Sequence, residues 1–122
     1  MIEAARQVLN DSVQSFVHND ATMAKKVEPL EQVIDRLRDK LKEAHIKRLT
    51  NGECTIELGF ILGDLLTNLE RVSDHCSNIA GLVLEMEHKE MDIHKYLRQM
   101  KKSPDSDFNK LYDEYSEKYS LT

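Results

Sequence analysis

From Leu58 to Met86 the residues Leu58, Leu62, Leu65, Leu69, Val72, Cys76, Ile79, Val83 and Met86 follow steps of four and three without a slip. That is the heptad seam of an amphipathic helix. It predicts one helix from about Cys54 to Met86, roughly 50 Å long. A helix of this length draws its stability from covering its apolar stripe. Long helices with heptad seams pack nearly antiparallel, at crossing angles of about 20°. Only 4 Gly and 2 Pro occur in the 122 residues, too few turn formers for an all-β fold. The fold class is therefore all-α, an antiparallel three-helix bundle with two short C-terminal helices.

The preceding sequence supplies the partners. Ile2, Ala5, Leu9, Val13 and Phe16 repeat at helical spacing over Ile2 to Val17, and Asp20 stands where the next helix needs an N-cap. A second helix is expected from about Ala21 to Leu49, with the seam Met23, Val27, Leu30, Ile34, Leu37, Leu41 and Ala44. Pro29 lies inside it and predicts a kink or break near Lys25 to Glu28. Asn51-Gly52 is a turn signal, and Thr50 with Glu53 has capping-box spacing for the third helix. A short helix over about Met91 to Lys101 and a last helix after Ser103-Pro104 complete the chain. The bundle is assigned to residues 1–102, and 103–122 to a C-terminal helix packed on it. Phe108, Leu111, Tyr112, Tyr115 and Tyr119 would form the last helix's packing face or, alternatively, a docking surface. An Asp in place of Leu65 or Leu69 is expected to unfold the domain, because both lie on the predicted seam.

Charge narrows the function classes. The net charge is −5, with 22 acidic and 17 basic side chains, so nucleic acid is not expected as a partner. Two cysteines, Cys54 and Cys76, make no disulfide framework and point to a reducing compartment. The first residues do not read as a signal peptide, and no membrane-spanning run, Gly-rich phosphate loop or nucleophile elbow is found in the sequence. The chain is therefore not expected to be an enzyme, nor to carry a solute across a membrane by itself.

The candidate chemistry lies in two acidic pairs, Glu31 with Asp35 and Glu70 with Asp74, each one helical turn apart. If the second and third helices form a hairpin about the junction of Gly52 and Glu53, Glu31 is level with Asp74 and Asp35 with Glu70. Four carboxylates at one height repel one another unless cations join them. Asn78 adds an oxygen donor one turn beyond Asp74. Hard oxygen donors suit Mg, Mn, Ca or Fe. The competing reading is a solvated face with ion pairs to Arg36, Arg38 or Arg71.

Other clusters carry less. Glu85, Glu87, His88, Glu90, Asp92 and His94 read as a solvated linker, since His88 and His94 do not share a helix face. His45 and His75 read as packed histidines, and Cys76 as a small core residue. Cys54, at a helix N-terminus, is a candidate reactive thiol.

The run Leu65-Leu66-Thr67-Asn68-Leu69-Glu70-Arg71-Val72-Ser73-Asp74-His75-Cys76-Ser77-Asn78-Ile79-Ala80 resembles the signature of the PhoU family. Val27 to Leu37 is similar to that family's second-helix pattern. His45 to Leu49, Gly52-Glu53-Cys54 and the Tyr-rich tail resemble the C-terminal cytoplasmic region of bacterial Na/Pi cotransporters. The resemblance implies a three-helix bundle whose two acidic motifs, here Glu31/Asp35 and Glu70/Asp74, bind metal on the outer face. Fe, Mn, Mg or Zn are the candidate ions. It also implies a regulatory role in sodium-dependent phosphate transport, or alternatively a free-standing adaptor in phosphate-uptake signalling. The implied location is the cytoplasmic face of the cell membrane, and the implied partners are a transporter portion or another PhoU-like repeat. The resemblance covers one repeat, so self-association is expected, through Ile2, Leu9, Phe16 and the last helix's aromatic stripe.

Overall fold

Asp20 accepts a hydrogen bond from the Met23 amide at 3.2 Å, capping a helix start as its position predicts. In the computed structural model, which describes residues 1–87 and 107–121, this cap follows helix α1, Ile2–Val17. Asn19, at φ 48°, makes the turn between them. Helix α2 spans only Ala21–Ala24, and α3 covers Val27–Thr50. The expected break therefore falls at Lys25 and Lys26. Pro29 becomes the third residue of α3, among the first four amides that have no helical partner in any case.

Gly52, at φ 71°, closes the turn to α4, Ile56–Glu87. The expected capping box is replaced. Thr50 donates its hydroxyl back to the Ile46 carbonyl, and Thr55 accepts from the Leu58 amide at 3.2 Å as the working cap of α4. Helix α5, Asp107–Lys118, is the last described helix. The expected helix over Met91 to Lys101 and the Ser103-Pro104 cap lie outside the described residues.

Short connections make α1, α3 and α4 run up, down and up. Ser77 donates to Glu28 across the α3/α4 hairpin, and these two residues are equidistant from the junction of Gly52 and Glu53. The hairpin register read from the turn is thus the observed one. The core gathers Ala4 and Val8 of α1, Leu30 and Ile34 of α3, and Ala80 and Val83 of α4, with Tyr115 closing it from α5. Phe108 and Tyr115 are buried, and Leu111, Tyr112 and Tyr119 pack partly buried against the bundle. The aromatic stripe is therefore a packing face within the chain.

The seam of α4 differs from the predicted one. Leu62, Leu69, Cys76 and Val83 do turn inward, but between them come Leu66, Ser73 and Ala80, not Leu65, Val72 and Ile79. Leu58, Leu65, Val72 and Met86 are exposed, as are Ile2, Leu9, Val13 and Phe16 of α1. What α1 presents to the core is Ala4, Val8, Ser12 and Ser15. Small residues on both helices let the backbones approach closely. The α1 hydroxyls find local partners, Ser12 and Ser15 donating to the carbonyls of Leu9 and Ser12 at 3.0 and 2.7 Å, whereas the buried Ser73 hydroxyl of α4 has none among the described residues. Cys76 is buried against Ser12, and burial pushes its thiol pKa up. His45 is buried as expected, whereas His75 is exposed.

Candidate metal centre

Glu31 and Asp35 follow one another by a turn on α3, one residue past the inward positions Leu30 and Ile34. Glu70 lies on α4 at the height the hairpin register sets. One carboxylate oxygen from each of the three falls within 4.8 Å of the others. Glu31 is 8% exposed, and Asp35 and Glu70 are half-buried.

The electrostatics are unfavourable for three ionised carboxylates. The Glu31 carboxyl is pushed up from 4.5 to about 8, first by burial and then by the charge of Asp35. Glu28, the close approach of the Asp35 carboxyl and the Asp74 charge act in the same direction. Asp35 Oδ1 is buried and has no hydrogen bond. Its nearest cation is Arg38, whose Nη1 lies 3.7 Å from it and 3.8 Å from Glu70 Oε1. Arg38 also pairs with Asp39 at 3.3 Å. One guanidinium thus serves several carboxylates. An orphaned buried oxygen among hard oxygen donors fits a bound cation.

Of the four acidic residues expected at one height, Glu31, Asp35 and Glu70 are brought within 4.8 Å of one another. Asp74 is exposed and outside this trio, although its charge reaches Glu31. Asn78 is likewise exposed. Both follow from the rotation of α4, which turns Glu70, Ser73 and Ser77 toward α3 and Asp74 outward. Of the expected arginine partners, Arg38 is the one that engages the cluster. Arg36 turns to α5, donating to the Tyr112 hydroxyl at 3.4 Å. The Glu28–Ser77 bond was not foreseen from the sequence, although the same equidistance rule points to it.

These features define a helical-bundle module with three carboxylates gathered between the two helices of its hairpin. The PhoU domain family matches residues 1–83, and the chain belongs to that family. It is 28% identical over 87 residues to the phosphate-specific transport system accessory protein PhoU homolog 1 of Thermotoga maritima. That alignment takes in 71% of this chain and 38% of the relative, so the chain spans well under half of the relative's length. No solved structure matches. No helix among the described residues is long and apolar enough to cross a membrane.

Proposed function

We propose that this chain is a PhoU-like regulatory domain associated with phosphate transport, acting through a divalent or trivalent cation held by Glu31, Asp35 and Glu70. The observation that carries the reading is the convergence of these three carboxylates in a chain of the PhoU family. Asp74 and Asn78, one and two turns along α4, extend the donor set toward solvent. All-oxygen donors favour Mg, Mn or Fe over Zn, which takes nitrogen and sulfur ligands more readily.

The bound cation would neutralise the cluster and compete with Arg38 for Asp35 and Glu70. An acidic face repels phosphate and acidic partners, whereas a cation-loaded one with a freed guanidinium attracts them. Regulation by a cation-dependent contact with a transporter portion, or with another PhoU-like bundle, follows from that change of sign.

Likeness to a relative described as an accessory protein supports the adaptor form of this role. Attachment to a sodium/phosphate cotransporter at the cytoplasmic membrane face is the other form, supported by the resemblance over His45 to Cys54. Phosphate uptake in a bacterium lacking its own PhoU protein tests the role. The wild-type chain should restore control of uptake, and the double substitution Asp35→Ala, Glu70→Ala should not. No effect of the wild-type chain, or equal activity of the double variant, would sink it.

A further inference from the structure

Helix α5 packs on α3, and the two do not close completely. Val33, Leu37 and Lys40, with Arg36, recur at helical three- and four-residue spacings and share one face of α3. Tyr112 and Ser116 are one turn apart on α5, with Asp113 beside them and Ser120 just past the helix end. The two faces line a cavity of about 270 Å³. Val33 and Leu37, both buried, form its floor, and the exposed Arg36 and Lys40 stand at its rim. The volume suits a small ion with a few waters.

The charges at the rim lack partners of opposite sign. Arg38 occupies the neighbouring acids of α3, pairing with Asp35 at 3.7 Å and with Asp39 at 3.3 Å. Among the described residues, Arg36 and Lys40 pair with no carboxylate. Arg36 donates instead to the Tyr112 hydroxyl at 3.4 Å. The phenol oxygen accepts there, so its own proton is free for a further acceptor. Two unpaired cations beside phenol and serine hydroxyls, in a chain of net charge −5, make a donor-rich wall fit for an oxyanion.

Asp113, on the same wall, decides which oxyanion. Sulfate carries no proton at neutral pH and meets this carboxylate with repulsion. Inorganic phosphate keeps at least one O–H there, which donates to Asp113 while its other oxygens accept from Arg36, Tyr112 and Ser116. A phosphomonoester has mostly lost its last proton, since its second pKa is about 6.

We infer that the α3/α5 cavity binds inorganic phosphate in its protonated forms, held by Arg36, Lys40, Tyr112 and Ser116 and selected by Asp113. The ion belongs at the Arg36–Tyr112 end, because the last carbonyls of α5, toward Ser120, repel anions. The family match ends at residue 83, so the α5 wall lies outside the likeness to PhoU domains. The site would give the domain a phosphate contact of its own. It uses none of Glu31, Asp35 and Glu70, and it is tested with no cation bound to them.

Amide NMR on the 122-residue chain tests it, with sodium phosphate as the probe, at fixed neutral pH, in physiological salt with a chelator. Saturable shifts are expected at Arg36, Tyr112 and Ser116, with a dissociation constant of about 1 mM or below. Sulfate and O-phosphoserine should bind at least tenfold more weakly. Arg36→Gln should weaken phosphate binding at least tenfold and leave the helical circular dichroism unchanged, since the side chain is exposed. Asp113→Asn should weaken phosphate and tighten sulfate, because the amide donates where the carboxylate repelled. No saturable shift up to about 10 mM phosphate would overturn the inference, as would an affinity that Arg36→Gln leaves unchanged. Sulfate or O-phosphoserine binding as tightly as phosphate would overturn it as well, and so would an Asp113→Asn variant that discriminates as the wild type does. A failure here leaves the carboxylate cluster and its proposed role untouched, because neither enters the measurement.

Discussion

Arg38 Nη1 lies 3.8 Å from Glu70 Oε1, joining α3 to α4 at the point where a bound cation would sit. The guanidinium is therefore a tie between the helices and, under the proposed function, a competitor for the cation. Arg38→Met should lower the stability of the metal-free protein by about 1 kcal/mol, the scale of a partly exposed ion pair. The same change should tighten Mn²⁺ binding several-fold by calorimetry. Weaker Mn²⁺ binding in the variant would mean that Arg38 supports the site and does not compete for it.

Glu31 gives the metal-free protein an inverted pH response. Its folded carboxyl is pushed up to about 8 from an ordinary 4.5, so between those values the folded state holds the proton more tightly than the unfolded chain. The contribution to stability is fully present below pH 4.5 and is lost as pH rises through 8. Glu31→Gln should remove this fall and raise the melting temperature at pH 8 in the presence of a chelator. A wild-type melting temperature that rises between pH 6 and 8, with no difference from the variant, would contradict this.

Leu65 and Leu66 are neighbours in sequence with opposite surroundings, 45% and 1% exposed. Leu66→Asp buries an unpaired charge and should cost several kcal/mol, enough to unfold a domain of this size. Leu65→Asp should change monomer stability by no more than about 1 kcal/mol. Circular dichroism melts of the two variants separate the observed α4 seam from the one read in the sequence.

Two helical glycines of α4 should respond in opposite senses to alanine. A methyl group at Gly59 would run into the His45 imidazole, whereas nothing lies within 4 Å of one at Gly63. Gly59→Ala should destabilise by about 1–3 kcal/mol through overpacking. Gly63→Ala should stabilise by about 0.5–1 kcal/mol through helix propensity. Urea midpoints measure both, and a neutral Gly59→Ala would show that the hairpin is looser at His45 than this packing requires.

Much of the architecture was legible because local chemistry dictates it. Asp20, Pro29 and Gly52 each act through the backbone of their own segment, so the cap, the break and the turn fall where the sequence puts them. The turn in turn set the hairpin register that brings Glu31, Asp35 and Glu70 together. The rotation of α4 was not legible. Hydropathy ranks Leu65 and Val72 above Ser73 and Ala80, but close packing of α1 on α4 selects small side chains, and apolar residues occupy both edges of that contact. The same rotation sends Asp74 outward. Thr50 has the capping-box spacing, but the helix begins at Ile56 and Thr55 caps it.

The unequal helix lengths have a mechanical consequence. Helix α1 has 16 residues, α3 24 and α4 32, so the hairpin runs on past the end of its third neighbour. Among residues 38–65 the only buried side chain is His45. The domain should therefore open in two tiers. Amides near Ile46 and Phe60 should exchange with solvent through local fraying, while those near Ile34 and Ser73 wait for global unfolding. The carboxylate cluster stands on the slow side of that boundary, so the tip can bend or melt against a partner without loosening the site.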